Sequence, residues 1–323
     1  MNQSPIRAQD PHFSQYFSSP LTLNPAMTGF FDGDSRFSTN FRQQWWDVGA
    51  PFTTNTFSYD ARLLQTKVKK NDIFAAGIMG LYDQSQAGSF KSLNLSASVA
   101  YHKALDGEGD NKLGIGFQFT YASRSIDVNN LDFATQFNGS GFDTRLPSYE
   151  TFGSQRSSYV DINTGLLYTY QTEKTAFYLG TSVYHVTTPN TSFLKNESFK
   201  LPMRLSVHAG ARLTVNENED ELFFSGHYMQ QAQATEKMIG VAYGYNLKNS
   251  TKLYGGTWYR FDEALIPYMG ADFGSFQMGF SYDVINSSLN SFKPKNGSFE
   301  LSLNFLITNP VNYYTNYKGG RIF

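Results

Sequence analysis

The side chains that could do chemistry in this chain are few, and their spacing argues against most of it. Five histidines, His12, His102, His185, His208 and His227, are scattered with no His-x-x-x-His or other close ligand spacing. No metal site is expected from them. Asp106-Gly-Glu108-Gly-Asp110-Asn111 sets acids at alternate positions like the opening of a calcium loop, but it lacks the sixth-position glycine and the closing glutamate,. It reads as a solvated hairpin turn. Neither a G-x-S-x-G elbow nor a glycine-rich phosphate loop is present,. A barrel hydrolase would need His185 or His208 to meet a serine on a neighbouring strand, since triads assemble in space rather than in sequence. Only residue type speaks for it. With no cysteine there is neither a disulfide framework nor a thiolate metal site,. The expectation is a non-enzyme with no catalytic, cofactor-binding or metal residues.

What the chain has in quantity is alternation. In Leu113-Gly-Ile115-Gly-Phe117-Gln-Phe119-Thr-Tyr121 every odd position is large and apolar and every even one is small or polar. The same dyad recurs around Leu95, Val207, Val241, Phe280 and Leu303. Segments of about ten residues with this period are how a transmembrane β-strand reads. Aromatic residues make up 16% and charged residues only 16%, where a soluble domain carries roughly a quarter charged. The longest apolar run, Ile73 to Leu81, is too short for a spanning helix, which needs ~18 residues,. A formal net charge of −1 without a basic stripe speaks against nucleic acid as a partner,.

The fold class expected is therefore all-β: a transmembrane antiparallel β-barrel of about 14 strands with both termini periplasmic. Strands are expected near 34–46, 51–65, 71–82, 89–103, 111–123, 156–170, 174–187, 201–215, 220–232, 235–248, 250–262, 264–273, 275–285 and 297–308. The alternation is least clear in the seventh, eleventh and twelfth. Brief polar joins fall in even places, as at 171–174 and 216–220, while the long connectors 124–155, 188–200 and 286–296 fall in odd ones, the pattern of periplasmic turns and outer loops. The domains expected are an N-terminal periplasmic or lumenal segment over 1–33, a barrel over 34–309 and a periplasmic tail over 310–323. Met1 to Ala8 has no apolar core of a signal peptide,. The expectation is a leader already removed or a mis-set start, with Ala8–Gln9 suited to cleavage.

Face parity puts Arg36, Arg42, Asp60, Arg62, Asp161, Arg204, His208, Arg212, Arg260, Asp283 and Glu300 on the lumen side. A lipid-facing Arg or Lys at the midplane would cost roughly 2–4 kcal/mol. Inside, charges of both signs can pair into a plug or line a pore, and residues 9–33 can fill the lumen. The same parity predicts that Arg is tolerated better at Ser302 than at Leu303. Trp45, Trp46, Tyr101, Tyr121, Tyr168, Tyr170, Trp258 and Tyr259 are candidates for the interfacial girdles. The apolar residues of Leu131–Phe137 can pack into the barrel mouth or face a partner.

The N-terminus carries the most distinctive pattern: Asp10-Pro11-His12-Phe13-Ser14-Gln15, then Leu21-Thr22-Leu23-Asn24-Pro25-Ala26 with Gly29. Arg42-Gln-Gln-Trp45 follows, and then Pro51-Phe52-Thr-Thr leads to Tyr59 and Asp60. This opening resembles the PorP/SprF family of the Bacteroidetes type IX secretion system, whose members look like outer-membrane barrels with D-P-x-F-S-Q, L-x-x-N-P-A-x-x-G, R-x-Q-W and P-F-T-T motifs. The terminal Gly319-Gly-Arg321-Ile-Phe323 departs from the Cys-containing tail common in the family. The resemblance implies an outer-membrane location and a role, without cofactor, in secretion, gliding motility or cell-surface anchoring. The partners it implies are outer-membrane lipid, type IX components, and a secreted adhesin with a type B C-terminal domain. The alternative is an outer-membrane diffusion channel or hydrophobic-solute transporter.

Overall fold

The computed structural model describes residues 10–45, 51–85, 89–143, 145–149, 155–193, 198–247, 251–286 and 297–308. Fourteen strands form in chain order: β1 Ser35–Gln44, β2 Phe52–Leu63, β3 Ile73–Ser85, β4 Phe90–Ala104, β5 Asn111–Ile126, β6 Arg156–Gln171 and β7 Thr175–Tyr184. They continue with β8 Arg204–Thr214, β9 Glu221–Gln231, β10 Ala234–Asn246, β11 Lys252–Arg260, β12 Ala264–Asp272, β13 Phe276–Ile285 and β14 Ser298–Ile307. Each pairs antiparallel with its neighbours, and β1 closes on β14 from Ser35 opposite Ile307 to Gln44 opposite Ser298. Closure gives every strand two neighbours and leaves no edge, the condition for strands to cross lipid,.

Alternation is realised as two faces. Along β5, Leu113, Ile115, Phe117, Phe119 and Tyr121 are exposed, while Gly114, Gly116, Gln118 and Thr120 are buried inside the barrel. No helix among the described residues is long and apolar enough to cross a membrane; the crossing is made by strands. Several expected boundaries shorten, two of them for clear local reasons. β7 stops at Tyr184 because His185 takes a left-handed backbone (φ 59°), and β8 starts only at Arg204, after Pro202, which has no N–H to give a ladder,. Pro267 lies inside β12, and the β12–β13 register passes from Leu265↔Val284 to Tyr268↔Ser281 without pairing Ile266 or Pro267. The blurred alternation there has a backbone cause as well as a side-chain one.

The three longest connectors, after β5, β7 and β13, all open at one end of the barrel, here the loop end. β1 begins and β14 finishes at the other, the turn end. The chain ahead of β1 does not stay there, because it runs the length of the lumen. Trp46, the cleavage point at Ala8–Gln9 and the tail over 310–323 lie outside the described residues.

Candidate functional site: the segment that fills the barrel

Prolines and turn formers break residues 10–33 into short pieces: a 3-10 turn at Tyr16–Ser18, a single turn of helix at Pro20–Leu23 (α1), and a second 3-10 turn at Pro25–Met27. Pro25 stands at the start of that last turn, where a missing N–H costs nothing,. Asn24 caps it by accepting from the Ala26 N–H at 2.8 Å,. Every residue from Phe13 to Phe31 except Thr22 is buried. A segment this irregular carries backbone groups that no ladder satisfies, so the barrel wall must satisfy them.

The wall does so from the loop end to the turn end. Near the loop end, the Asp10 carboxylate meets His185 Nε2 at 2.5 Å and Arg204 at 3.3 Å, and His185 Nδ1 is 2.7 Å from Asp161. Burial alone would raise the Asp10 pKa, but His185 and Arg204 hold the carboxyl well below the usual carboxylate range. Burial likewise disfavours a charged His185, and its two carboxylate neighbours overcome this and raise its pKa,. Next along, the Ser14 and Gln15 N–H groups donate to the Glu300 carboxylate at 2.8 and 2.9 Å. The Ser14 hydroxyl reaches Asp283 at 2.7 Å and accepts from Arg42 and Arg260. Arg42 in turn pairs with Asp283 and Glu300 at 2.8 and 3.1 Å. Gln15 is held by Ser281, Ser302 and the Glu300 carbonyl.

Midway, the Asn24 amide donates to the Leu166 and Thr181 carbonyls and lies 3.0 Å from His208 Nε2. The wall opens to let the segment in: a Cβ on Gly116 would lie 2.3 Å from the Ala26 nitrogen. At the turn end, Gly29 takes φ +76° and gives its N–H to Asp60 at 2.8 Å, while a Cβ there would strike Ala75. Asp60 is gripped by Arg36 at 2.9 and 3.0 Å. Arg36 and Arg62 both lie over the Phe31 ring, and Arg62 donates to the Gly29 carbonyl.

Nine of the ten charged residues placed on the lumen side, all but Arg212, thus join this network around the segment. Arg212 sits apart, paired with Glu221 at 2.7 Å. Of the motif residues, Asp10, Ser14, Gln15, Asn24, Gly29, Arg42 and Asp60 converge on segment-to-wall contacts, and Pro11 and Phe13 lie within the segment. Trp45, Phe52 and Tyr59 do not: Trp45 packs edge-on against Phe52 at 5.1 Å, and Tyr59 is exposed on the outer face. Pro51 immediately precedes β2.

Parity reasoning missed the apolar half of the lumen. Phe17 packs among Phe223, Trp258 and Tyr268, with ring centroids 5.0–6.3 Å apart, in a cluster that includes Leu23, Met27, Phe30, Met238 and Ile266. Trp258 is a correction, because it is not a girdle residue. It is 1% exposed, faces inward, and its indole N–H donates to Ser225 at 3.0 Å. Tyr101, Tyr121, Tyr170 and Tyr259 are exposed on the outer face. Glu236 was also missed, although it shares parity with buried Met238 and alternates with exposed Ile239.

The histidines weighed for hydrolysis are committed elsewhere, His185 to carboxylates and His208 to Asn24. Ser206 lies 3.0 Å from His227 instead, buried beneath the segment. The cavity there is about 30 Å³, room for a single water,. Outside, Phe137 and Phe142 pack edge-on at 5.3 Å and stay exposed on the long β5–β6 loop.

The architecture has counterparts. The chain is similar to a Pseudomonas aeruginosa FadL homologue (10% identity, TM-score 0.51, covering 87% of this chain and 92% of that one). It is similar to the P. putida toluene transporter TodX (11%, 0.50, 88% and 93%) and to a deltaS2 mutant of the TodX monoaromatic hydrocarbon channel (11%, 0.52, 89% and 92%). Identities this low carry the barrel fold alone. None of the curated proteins matches. The family described as type IX secretion system membrane protein PorP/SprF matches residues 6–305. The match takes in both the lumen-filling segment and the wall that holds it, and on it the chain belongs to the PorP/SprF family of outer-membrane β-barrels of the type IX secretion system.

Proposed function

We propose that this protein is a plugged, non-enzymatic barrel that supports secretion or cell-surface anchoring of a partner adhesin with a type B C-terminal domain, with its long loops outside and the ends of the barrel proper on the periplasmic side. The observation that carries the reading is the filled lumen. Residues 13–31 occupy it with hydrogen bonds to walls all around the barrel, and a pore needs the opposite,. A plugged barrel offers a partner its loops and its rim. Exposed Phe137, Phe142, Leu146 and Tyr149 on the β5–β6 loop supply apolar contact area there,. A hydrophobic-solute channel is the second reading, and the fold alone is compatible with it. The close packing of Phe17 against Trp258 and Tyr268 favours the first.

The test is affinity purification of the tagged protein from detergent-solubilised outer membrane of its own host, with mass spectrometry, beside a variant lacking residues 10–29. The expected result is co-purification of a large surface protein or type IX components by the intact chain, and their loss from a variant that still shows the heat-modifiable mobility of a folded barrel. A lone barrel in both samples would contradict the proposal.

A further inference from the structure

We propose that His12, Glu236 and Glu263, joined by His227, form a binding site for one divalent transition-metal ion of the zinc class, which clips the lumen segment to the barrel wall at its loop end. Donor atoms of His12, Glu236 and Glu263 all lie within 4.8 Å of one another. The four residues come from three places: the segment (His12), the β9–β10 hairpin (His227, Glu236) and the β11–β12 connector (Glu263). His12 Nε2 stands 3.2 Å from Glu236 Oε2 and His227 Nδ1 stands 3.6 Å from Glu236 Oε1. Two ligands at ~2.0 Å from a tetrahedral centre lie about 3.3 Å apart, so these separations are the edges of a coordination polyhedron. They are not hydrogen bonds: His12 Nε2, His227 Nδ1 and Glu236 Oε1 are each buried without an aligned partner.

Two independent features point the same way. His227 is 8% exposed, and its other ring nitrogen, Nε2, lies 3.0 Å from Ser206 Oγ. An N–H donated there leaves the Nδ1 lone pair aimed at the Glu236 carboxylate, the outer-shell arrangement that fixes a metal-binding imidazole. Charge is the second feature. In the surrounding cluster two guanidiniums, Arg42 and Arg260, face four carboxylates, Asp283, Glu300, Glu236 and Glu263. Arg260 is the cation nearest the site, but its short contacts go to Asp283 at 3.0 Å and Ser14 at 2.8 Å, leaving 3.8 Å to Glu236 and 3.5 Å to Glu263. Two negative charges remain for a divalent ion. Glu263, half exposed on its connector, supplies the movable ligand and the path of entry.

Cobalt(II) titration of the full-length protein in detergent tests this by visible absorption, with zinc competition. Wild type is expected to take up one equivalent, with d–d bands that zinc abolishes. His12→Ala and Glu236→Gln should each weaken binding by at least about tenfold, as removing even outer-shell groups does. Glu263→Gln, on an exposed connector that leaves folding alone, should weaken binding and shift the bands. Absence of a stoichiometric spectrum in the wild type would overturn the proposal, as would spectra and affinities in Glu263→Gln and His12→Ala identical to those of the wild type.

Discussion

Gly116 sets how closely the wall and the lumen segment approach, because any side chain there meets backbone rather than a movable group: a Cβ would lie 2.3 Å from the Ala26 nitrogen and 2.4 Å from the Pro25 carbonyl carbon. Gly116→Val is therefore expected to destabilise by about 1–3 kcal/mol, the usual cost of overpacking, and to expose residues 20–30 to protease. Gly255→Ala, where a Cβ meets nothing within 4 Å, should change stability by less than about 0.5 kcal/mol,. Limited proteolysis with urea unfolding compares the two. The Asp10–His185 contact gives a pH signature. His185 has a raised pKa, so its contribution is fully present below the ordinary histidine value of ~6.5 and is lost as pH rises through the raised one,. Asp10 has a depressed pKa, so its contribution is present above ~3.9 and lost only as pH falls through the depressed value,. Hydrogen-exchange protection at residues 10–15, measured against the intrinsic rate at each pH, should be greatest between these limits and fall on the alkaline side, and His185→Gln should abolish that alkaline loss. A loss unchanged in the variant would show that another group holds the segment.

At the scale of elements, the strands were legible because lipid and lumen demand opposite side chains at period two. That demand reaches every strand, and local backbone chemistry moves or interrupts a ladder at places such as Trp45, Leu64, His185, Pro202 and Pro267. The lumen charges were legible for the same reason, since Arg42 or Asp60 on the outer face would be prohibitively costly. Where residue type misled, the lumen was not polar. Trp258 shares the parity of inward Arg260, and Ile266 and Tyr268 alternate with exposed Leu265 and Met269, so alternation gives their face; that these inward side chains are apolar answers Phe17, which no property of β11 or β12 alone announces. The filled lumen also revises one expectation, because Ser302 donates to Gln15 at 2.7 Å and has no room for an arginine. Phe117→Arg on the outer face should still cost roughly 2–4 kcal/mol, measured by folding into lipid vesicles,. The packing of segment on wall has its own test, since the chain contains no cysteine. Thr28 Oγ1 and Ser98 Oγ lie 2.8 Å apart, so Thr28→Cys with Ser98→Cys should oxidise to an intramolecular cross-link in intact outer membranes; a pair that stays reduced would place the segment elsewhere.

For the whole molecule, the N-terminal segment is what fills this barrel. It crosses from Arg204 and His185 at one end to Asp60 at the other, bound by carboxylates, amides and a half-shell of aromatic rings. Buried ion pairs of this kind fix position more than they add stability, which suits a segment held in one register. The most direct measurement is single-channel recording of the full-length protein in planar bilayers beside a variant lacking residues 10–29. The full chain should show no steady conductance and the variant open channels; stable conductance by the full-length protein would contradict a filled lumen.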